Sequence, residues 1–353
     1  MKAIESTTKI SETYNLGGIR KISKFGSGHI HNTYLLNTDR RDYILQGFND
    51  TVFRFPDRIA NNLRLISEYE KTSALPFALP LPIPNQKGEL FTKLDGELYR
   101  LFQFVDGATK DALQETYPCK IAASAFSNFV KTYLDLDATL MQETIQGFHD
   151  LSLRFDQFQV AVANSKKKIN GQLSHLVDFY LDQKDLLDKY KGYCSTLPLR
   201  VTHNDTKINN LIFNHELNQV NAVIDLDTIM AGYVFYDFGD LVRTVACTED
   251  EGSVNWENIG VDLPKYHALI DGFFEPLVGS LDKEELQSLI FGGEMMTCIM
   301  GLRFLTDYLN GNIYYQISYP EQNFHRSKNQ RCLLQALKIN RPSIQEHVNT
   351  WVK

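Results

Sequence analysis

Between positions 203 and 210 the chain reads His203-Asn204-Asp205-Thr206-Lys207-Ile208-Asn209-Asn210, and shortly afterwards Ile224-Asp225-Leu226-Asp227. The spacing His-x-Asp-x-Lys-x-x-Asn sets a carboxylate, an ammonium and an amide on one short loop, the groups that phosphoryl transfer from a nucleotide to a hydroxyl requires. Asp205 suits the base that orients the acceptor hydroxyl. Lys207 suits the cation that neutralises charge on the transferring phosphate. Asn210 and Asp225 offer the hard oxygen ligands that Mg2+ takes. Asp225 follows the apolar run Ala222-Val223-Ile224, so a short buried strand is expected to deliver its carboxylate beside the loop. The plainer reading is an Asn/Asp-rich turn between two strands, since such residues favour turns for local hydrogen-bonding reasons. That reading needs the loop residues and the later carboxylate to coincide by accident.

The triplet Asp237-Phe238-Gly239 imitates the metal-binding triplet of protein kinases. The first carboxylate after the expected strand is Asp225, however, and Asp237 precedes Leu241, Val242 and Val245, which fall on one face of a starting helix. Asp237 and Asp240 are therefore read as cap or loop-bracing residues.

Elements able to position this loop divide into two groups. From about Ile22 to Phe48 the pattern alternates as strands do, with turns at Gly26-Ser27-Gly28 and at Asn37-Thr38-Asp39-Arg40, so consecutive hairpins are expected. Pro56-Asp57-Arg58 opens a helix whose apolar face holds Ile59, Leu63 and Ile66. A proline-rich connector from Leu75 to Pro84 leads to strands at Glu89 to Lys93 and Leu98 to Val105, ending at Asp106-Gly107. Beyond that point helical periodicity dominates, as in Ile121 to Tyr133, Leu176 to Leu187 and Leu286 to Leu309. The expected fold is α+β and bilobal, protein-kinase-like, with a small strand-rich N-lobe over residues 1–106 and a larger, mainly helical C-lobe over residues 107–353.

Gly26, Ser27 and Gly28 sit between two expected strands, where glycines let backbone amides approach phosphate. Alone they would equally make an ordinary hairpin turn. Protein kinases carry a lysine on the third strand, paired with a glutamate on the next helix. Here that strand reads Tyr43-Ile44-Leu45-Gln46, so Glu68 or Glu70 has no ammonium opposite it. Either Mg2+, Lys207 and backbone amides hold the phosphates, or a different cation reaches in, or nucleotide binding is lost and the fold survives as a catalytically silent binding protein.

Length and composition bound the rest. The chain has 353 residues, enough for two lobes around a cleft, and its net charge of -7 argues against a nucleic-acid partner. Five scattered cysteines, Cys119, Cys194, Cys247, Cys298 and Cys332, lack metal-ligand spacing and read as reduced thiols. The first residues lack the apolar core of a signal peptide, and no later segment looks long and apolar enough to span a bilayer. A cytoplasmic enzyme without a membrane partner, and a monomer, is the expectation.

Together these stretches resemble the aminoglycoside phosphotransferase/choline kinase superfamily, and within it the bacterial N-acetylhexosamine 1-kinases. The likeness runs over Gly26-Ser27-Gly28-His29-Ile30, Asn32-Thr33-Tyr34-Leu35, Tyr43-Ile44-Leu45-Gln46, Arg200 to Lys207, Ile224 to Met230, Phe235 to Asp240, Gly301 to Leu305 and Tyr319-Pro320-Glu321. Glutamine on the third strand belongs to that pattern. The resemblance implies transfer from ATP, with Mg2+, to the anomeric hydroxyl of N-acetylglucosamine or N-acetylgalactosamine. It implies Asp205 as catalytic aspartate, Asn210 and Asp225 as metal ligands, and backbone groups of Phe104 and Val105 against adenine. By the same resemblance His29, Thr228, Arg303 and Tyr314 contact the sugar. Thr244 departs from it, standing where a larger aromatic residue is expected near the sugar. An acceptor of the aminoglycoside or choline type is the second enzyme reading.

Overall fold

The computed structural model describes residues 7–26, 31–51, 53–70 and 75–352. Five antiparallel strands form the N-terminal sheet, β1 (Ile19–Lys24), β2 (Asn32–Thr38), β3 (Asp42–Phe48), β4 (Thr92–Leu94) and β5 (Glu97–Gln103), in the order β1-β2-β3-β5-β4. The expected hairpins are present. Helix α1 (Thr7–Tyr14), which the sequence reading did not anticipate, closes one face: Ile10, Tyr14 and Leu16 pack with Leu36, Leu45, Tyr99 and Leu101. Helix α2 (Pro56–Glu70) begins at the expected proline and buries Ile59, Leu63 and Ile66.

The first strand after the connector is shorter than expected and starts at Thr92 rather than Glu89. Asn85 explains this, because its side-chain oxygen accepts the backbone N–H of Lys87 and Glu89 and ties that stretch into a turn. β5 likewise ends at Gln103, two residues before Val105.

The C-terminal part holds α3 (Thr116–Thr132), α4 (Leu151–Asn164), α5 (Gly171–Leu181), α6 (Lys184–Thr196), α7 (Val234–Val245), α8 (Leu263–Leu277), α9 (Lys283–Leu309) and α10 (Gln322–Asn349). The single helix expected over Leu176 to Leu187 is two, broken at Asp182 and Gln183, where Gln183 folds its side-chain amide back onto the carbonyl of Phe179. Helix α9 corrects another expectation. It is long and apolar enough to cross a membrane, but 83% of its most apolar stretch is buried inside the protein, where that apolarity makes core contacts.

Two short hairpins interrupt the helices: β6 (Arg200–Thr202) with β9 (Met230–Gly232), and β7 (Leu211–Phe213) with β8 (Val220–Val223). The connector after α2 runs alongside the second of them, with Ala78 donating to Asn221 and accepting from Val223. Apolar residues of α2 and this connector, Ile59, Leu63, Ile66, Phe77 and Leu79, belong to the same core as the C-terminal helices. The core therefore does not divide at residue 106, and only the outer face of the sheet has an apolar cluster of its own.

Glycines allow a very close contact between two helices of the C-terminal part. A Cβ on Gly239 would stand 2.2 Å from the carbonyl oxygen of Gly292, and one on Gly292 would stand 2.1 Å from that of Phe235, so α7 and α9 meet backbone to backbone.

Candidate active site

The loop after β6 is built by hydrogen bonds from nearly every side. Asn204 takes a left-handed backbone at φ 64°, and its amide group donates to the carbonyls of Thr202 and Thr228. His203 is fully buried against Phe126 and Phe129, and its Nε2 meets the carbonyl of Ile224 at 3.0 Å. His149 meets the carbonyl of Asn204 at 2.8 Å from the other side. Burial drives the His149 imidazole down to about 4, so it is neutral at physiological pH.

Asp237 lies beneath the loop. Both of its carboxylate oxygens are used, accepting the backbone N–H of His203 at 2.9 Å and of Asn204 at 2.7 Å, while its carbonyl accepts from the Thr206 hydroxyl at 2.6 Å. Burial pushes its carboxyl up to about 6. The kinase-like triplet thus has three structural uses: Asp237 braces the loop, Phe238 fills the core and Gly239 admits α9. Helix α7 starts ahead of the triplet, at Val234, so Asp237 occupies its first turn rather than its cap.

Asp205 emerges from this brace at the cleft. Its Oδ1 pairs with the Lys207 ammonium at 2.7 Å, and its Oδ2 accepts from Asn210 Nδ2 at 2.9 Å. Burial works to raise the Asp205 carboxyl, but Lys207, His203 and Asn210 outweigh it and hold the group below its ordinary range. Asp205 also raises Lys207 well above the usual lysine value. The pair is therefore fully ionised at neutral pH.

The register of the second hairpin brings the metal-ligand candidates together. Leu211 pairs with Val223, and Ile224 N–H donates to the carbonyl of Asn210 at 2.9 Å, so Asn210 and Asp225 leave the same end of the hairpin. The Asn210 amide nitrogen is bound to Asp205, and among the described residues its side-chain oxygen has no hydrogen-bond partner. Asp225 has a left-handed backbone at φ 61° and faces open solvent, and among the described residues its carboxylate has no hydrogen-bond or ion-pair partner. Desolvation by the surrounding protein and the like charges of Asp227 and Asp205 raise that carboxyl above its ordinary range, an effect that its exposure to solvent moderates. A free amide oxygen beside an uncompensated carboxylate fits Mg2+, which keeps several sites for phosphate oxygens and water. When bound, Mg2+ would neutralise charge on the nucleotide phosphates, held by Asn210 and Asp225. No group of three or more His, Cys, Asp or Glu able to hold a metal exists among the described residues.

Asp227, two residues on, is engaged elsewhere. Arg100 on β5 grips both of its oxygens, the Nη2–Oδ2 bond measuring 2.9 Å, and His31 Nε2 meets Oδ2 at 3.0 Å. Burial alone would raise the Asp227 carboxyl, but Arg100 and His31 hold it far below the usual carboxylate range. Arg100 also donates to Gln46, the residue at the missing-lysine position. Sequence reading left the possibility of a different cation open; cross-strand register with Gln46 was the signal that could have named Arg100.

The expected sugar contacts are placed unevenly. Arg303, on α9, spreads its guanidinium over Phe148, Tyr314 and Tyr315 at 5.3, 5.9 and 5.7 Å, and its only hydrogen bond among the described residues is to the Met300 sulfur. Asp307 holds the loop carrying Tyr314 by accepting the backbone N–H of Ile313, Tyr314 and Tyr315. Tyr314 itself is exposed. Thr228 is buried and turned inward, its hydroxyl donating to the His203 carbonyl at 2.7 Å, so it supports the loop. The Thr244 hydroxyl likewise bonds back to Asp240 on its own helix. His29, Ser27 and Gly28 lie outside the described residues; Gly26 has a positive φ of 75°, as the turn requires. Phe104 follows β5 and meets Phe25 edge-on at 5.9 Å, with Val105 half-buried beside it.

A strand-rich lobe, a braced aspartate loop and a turn that offers Asn210 and Asp225 beside it are the layout of kinase-fold phosphotransferases. Residues 21–265 match the model of the APH phosphotransferase enzyme family, and the chain belongs to that family. Solved structures agree on the fold. A microcompartment-associated aminopropanol kinase superposes with a TM-score of 0.69 at 14% identity, covering 97% of this chain and 98% of that one. An aminoglycoside phosphotransferase from Alicyclobacillus acidocaldarius gives 0.65 at 13% identity, covering 96% and 95%. The GDP complex of aminoglycoside 2'-phosphotransferase-IIIa gives 0.62 at 12%, covering 94% and 99%. The cofactors of the family reaction are a nucleoside triphosphate and Mg2+.

Proposed function

We propose that this phosphotransferase moves the γ-phosphoryl group of ATP to the anomeric hydroxyl of an N-acetylhexosamine, giving the sugar 1-phosphate. The observation that carries the choice of acceptor is the cation Arg303, cushioned by three aromatic rings and free of any carboxylate partner among the described residues. A cationic acceptor such as an aminoglycoside, choline or an amino alcohol would be repelled there, whereas a neutral sugar offers hydroxyls to the guanidinium and an apolar face to Tyr314. The braced loop supplies position: Asp205, ionised and fixed, orients the hydroxyl for in-line attack and takes its proton. An anomeric hydroxyl is more acidic than an ordinary alcohol, so a carboxylate is base enough. Lys207, anchored on Asp205, is the cation that neutralises charge on the transferred group in this reading.

The backbone of Phe104 and Val105 receives the adenine in this reading, and the glycine turn and His29 complete the nucleotide and sugar contacts, while Thr228 supports the loop from within. We place the enzyme in the cytoplasm as a monomer; all five cysteines are free, which suits a reducing compartment. Incubation with ATP, Mg2+ and a panel of hexosamines, hexoses, amino alcohols and aminoglycosides, followed by phosphorus NMR, tests acceptor and position together. Sugar 1-phosphate from the N-acetylhexosamines is expected. Turnover confined to amino alcohols or aminoglycosides would overturn the reading.

A further inference from the structure

The third strand lacks the lysine that kinases direct at the nucleotide phosphates, yet a cation is buried one strand away. Gln46 and Arg100 are cross-strand partners on β3 and β5, and Arg100 is only 3% exposed. Its guanidinium lies near the faces of Phe48, Phe91 and Phe102, at 4.8, 5.2 and 5.3 Å, so these rings limit its freedom to reorient. From that seat Nη1 and Nη2 hold the two oxygens of Asp227, and Nη2 also donates to Gln46 Oε1. His31 adds a third donor. The backbone N–H of Asn49 occupies its Nδ1, which leaves the proton on Nε2 to point at Asp227. Stacking on Phe48 and Phe53 fixes the ring plane.

This arrangement has two geometric results. Asp227 follows Asp225 by two residues, so the strands of the N-terminal sheet hold the turn that presents the metal-ligand carboxylate. Gln46, with its oxygen committed to Arg100, has only its NH2 group left, and among the described residues that group has no acceptor. An amide flip that would show the phosphates a carbonyl is blocked, because Arg100 has no acceptor to offer a reversed Gln46.

We propose that Arg100 is a positioning residue for phosphoryl transfer: it takes the place of the third-strand lysine without touching the nucleotide, fixing the metal-binding turn through Asp227 and presenting the Gln46 NH2 group as the phosphate donor. The inference rests on the family reaction and not on the identity of the acceptor, so a wrong acceptor leaves it standing. It also separates the two acids of Asp225-Leu226-Asp227, one for metal and one for the sheet.

Binding of Mg·ADP, followed by fluorescence titration at varied Mg2+, tests it without any acceptor. Arg100→Met should weaken Mg·ADP binding and raise the Mg2+ requirement by between about 10- and 100-fold, the range seen when partners that orient metal ligands are removed. Because that variant strands the Asp227 charge, Arg100→Met/Asp227→Leu removes both charges, and a folded protein with the same displaced Mg2+ requirement supports the proposal. Gln46→Glu should weaken nucleotide binding while leaving the Mg2+ requirement in place. Gln46→Lys in the Arg100→Met/Asp227→Leu background moves the cation to the third strand and should recover nucleotide affinity while the Mg2+ requirement stays displaced, because the turn held through Asp227 is not restored. Wild-type affinity and Mg2+ dependence in the folded double variant would overturn the proposal, as would a Gln46→Glu variant that binds Mg·ADP normally.

Discussion

Replacing Asp237 by asparagine pits stability against activity. An asparagine imitates the protonated acid, with one acceptor and one donor where the carboxylate offers two acceptors. Burial pushes Asp237 from its ordinary 3.8 up to about 6, so the folded protein prefers the neutral group. At about 1.4 kcal/mol per pH unit that preference reaches about 3 kcal/mol at neutral pH. The sign follows from linkage: for a carboxyl raised by folding, the stability it contributes is complete below about 4 and lost as pH rises through 6. Asp237→Asn should therefore unfold at higher denaturant concentration than the wild type at pH 7.5, with the gain vanishing near pH 4. Activity should move the other way. The NH2 group turns against the backbone N–H of His203 or Asn204, one of the two bonds at 2.9 and 2.7 Å is lost, and Asp205 shifts with the loop. A displacement of that kind lowers turnover by on the order of a hundredfold. Denaturant unfolding at both pH values and steady-state turnover with Mg·ATP measure the two effects. A variant destabilised at pH 7.5, or one with wild-type turnover, would refute the reasoning.

Asp205→Asn should reduce turnover by about a thousandfold or more while Mg·ADP binding is unchanged; near-normal turnover removes Asp205 from the base role. Asn210→Ala or Asp225→Ala should raise the Mg2+ concentration for half-maximal activity, and an unaltered metal titration would contradict the ligand assignment. His149 is driven down to about 4 from 6.5 by burial, so the stability of its neutral ring is complete above 6.5 and lost as pH falls from there toward 4. Thermal melts of His149→Gln across that window should therefore slope less than those of the wild type, and parallel slopes would disprove it. Gly239→Ala should destabilise the fold by about 3 kcal/mol or more, since its methyl meets the Gly292 backbone at 2.2 Å; a melt within a degree of wild type would show that the helices can part.

What could be read from sequence was local. The hairpins around Gly26 and Asn37, the start of α2 at Pro56 and the aspartate loop each depend on neighbours within a few residues, where period and turn chemistry speak directly. Distant partners were hidden. Arg100 and Asp227 are 127 positions apart, and only strand register reveals that the missing lysine has a substitute. Thr228 was expected to contact sugar by resemblance, as a polar side chain suited to hydroxyls, but position and polarity do not say which way a hydroxyl points. The break at Asp182 escaped notice because apolar residues stay in helical phase across it. Helix α1 escaped because eight largely polar residues give too little pattern.

The backbone contact between Gly239 and Gly292 has a consequence for how acceptor choice can evolve. Asp237 hangs the aspartate loop from α7, Arg303 rides on α9, and the two helices interlock with no side chain between them at their closest point. Asp205 and Arg303, the base and the acceptor-side cation of the proposed reaction, thus hang from two helices that are locked to each other. Exchanging the sheet lobe for that of a family relative would accordingly replace His31, Gln46 and Arg100 while leaving the Asp205 loop and Arg303 on their own interlocked helices.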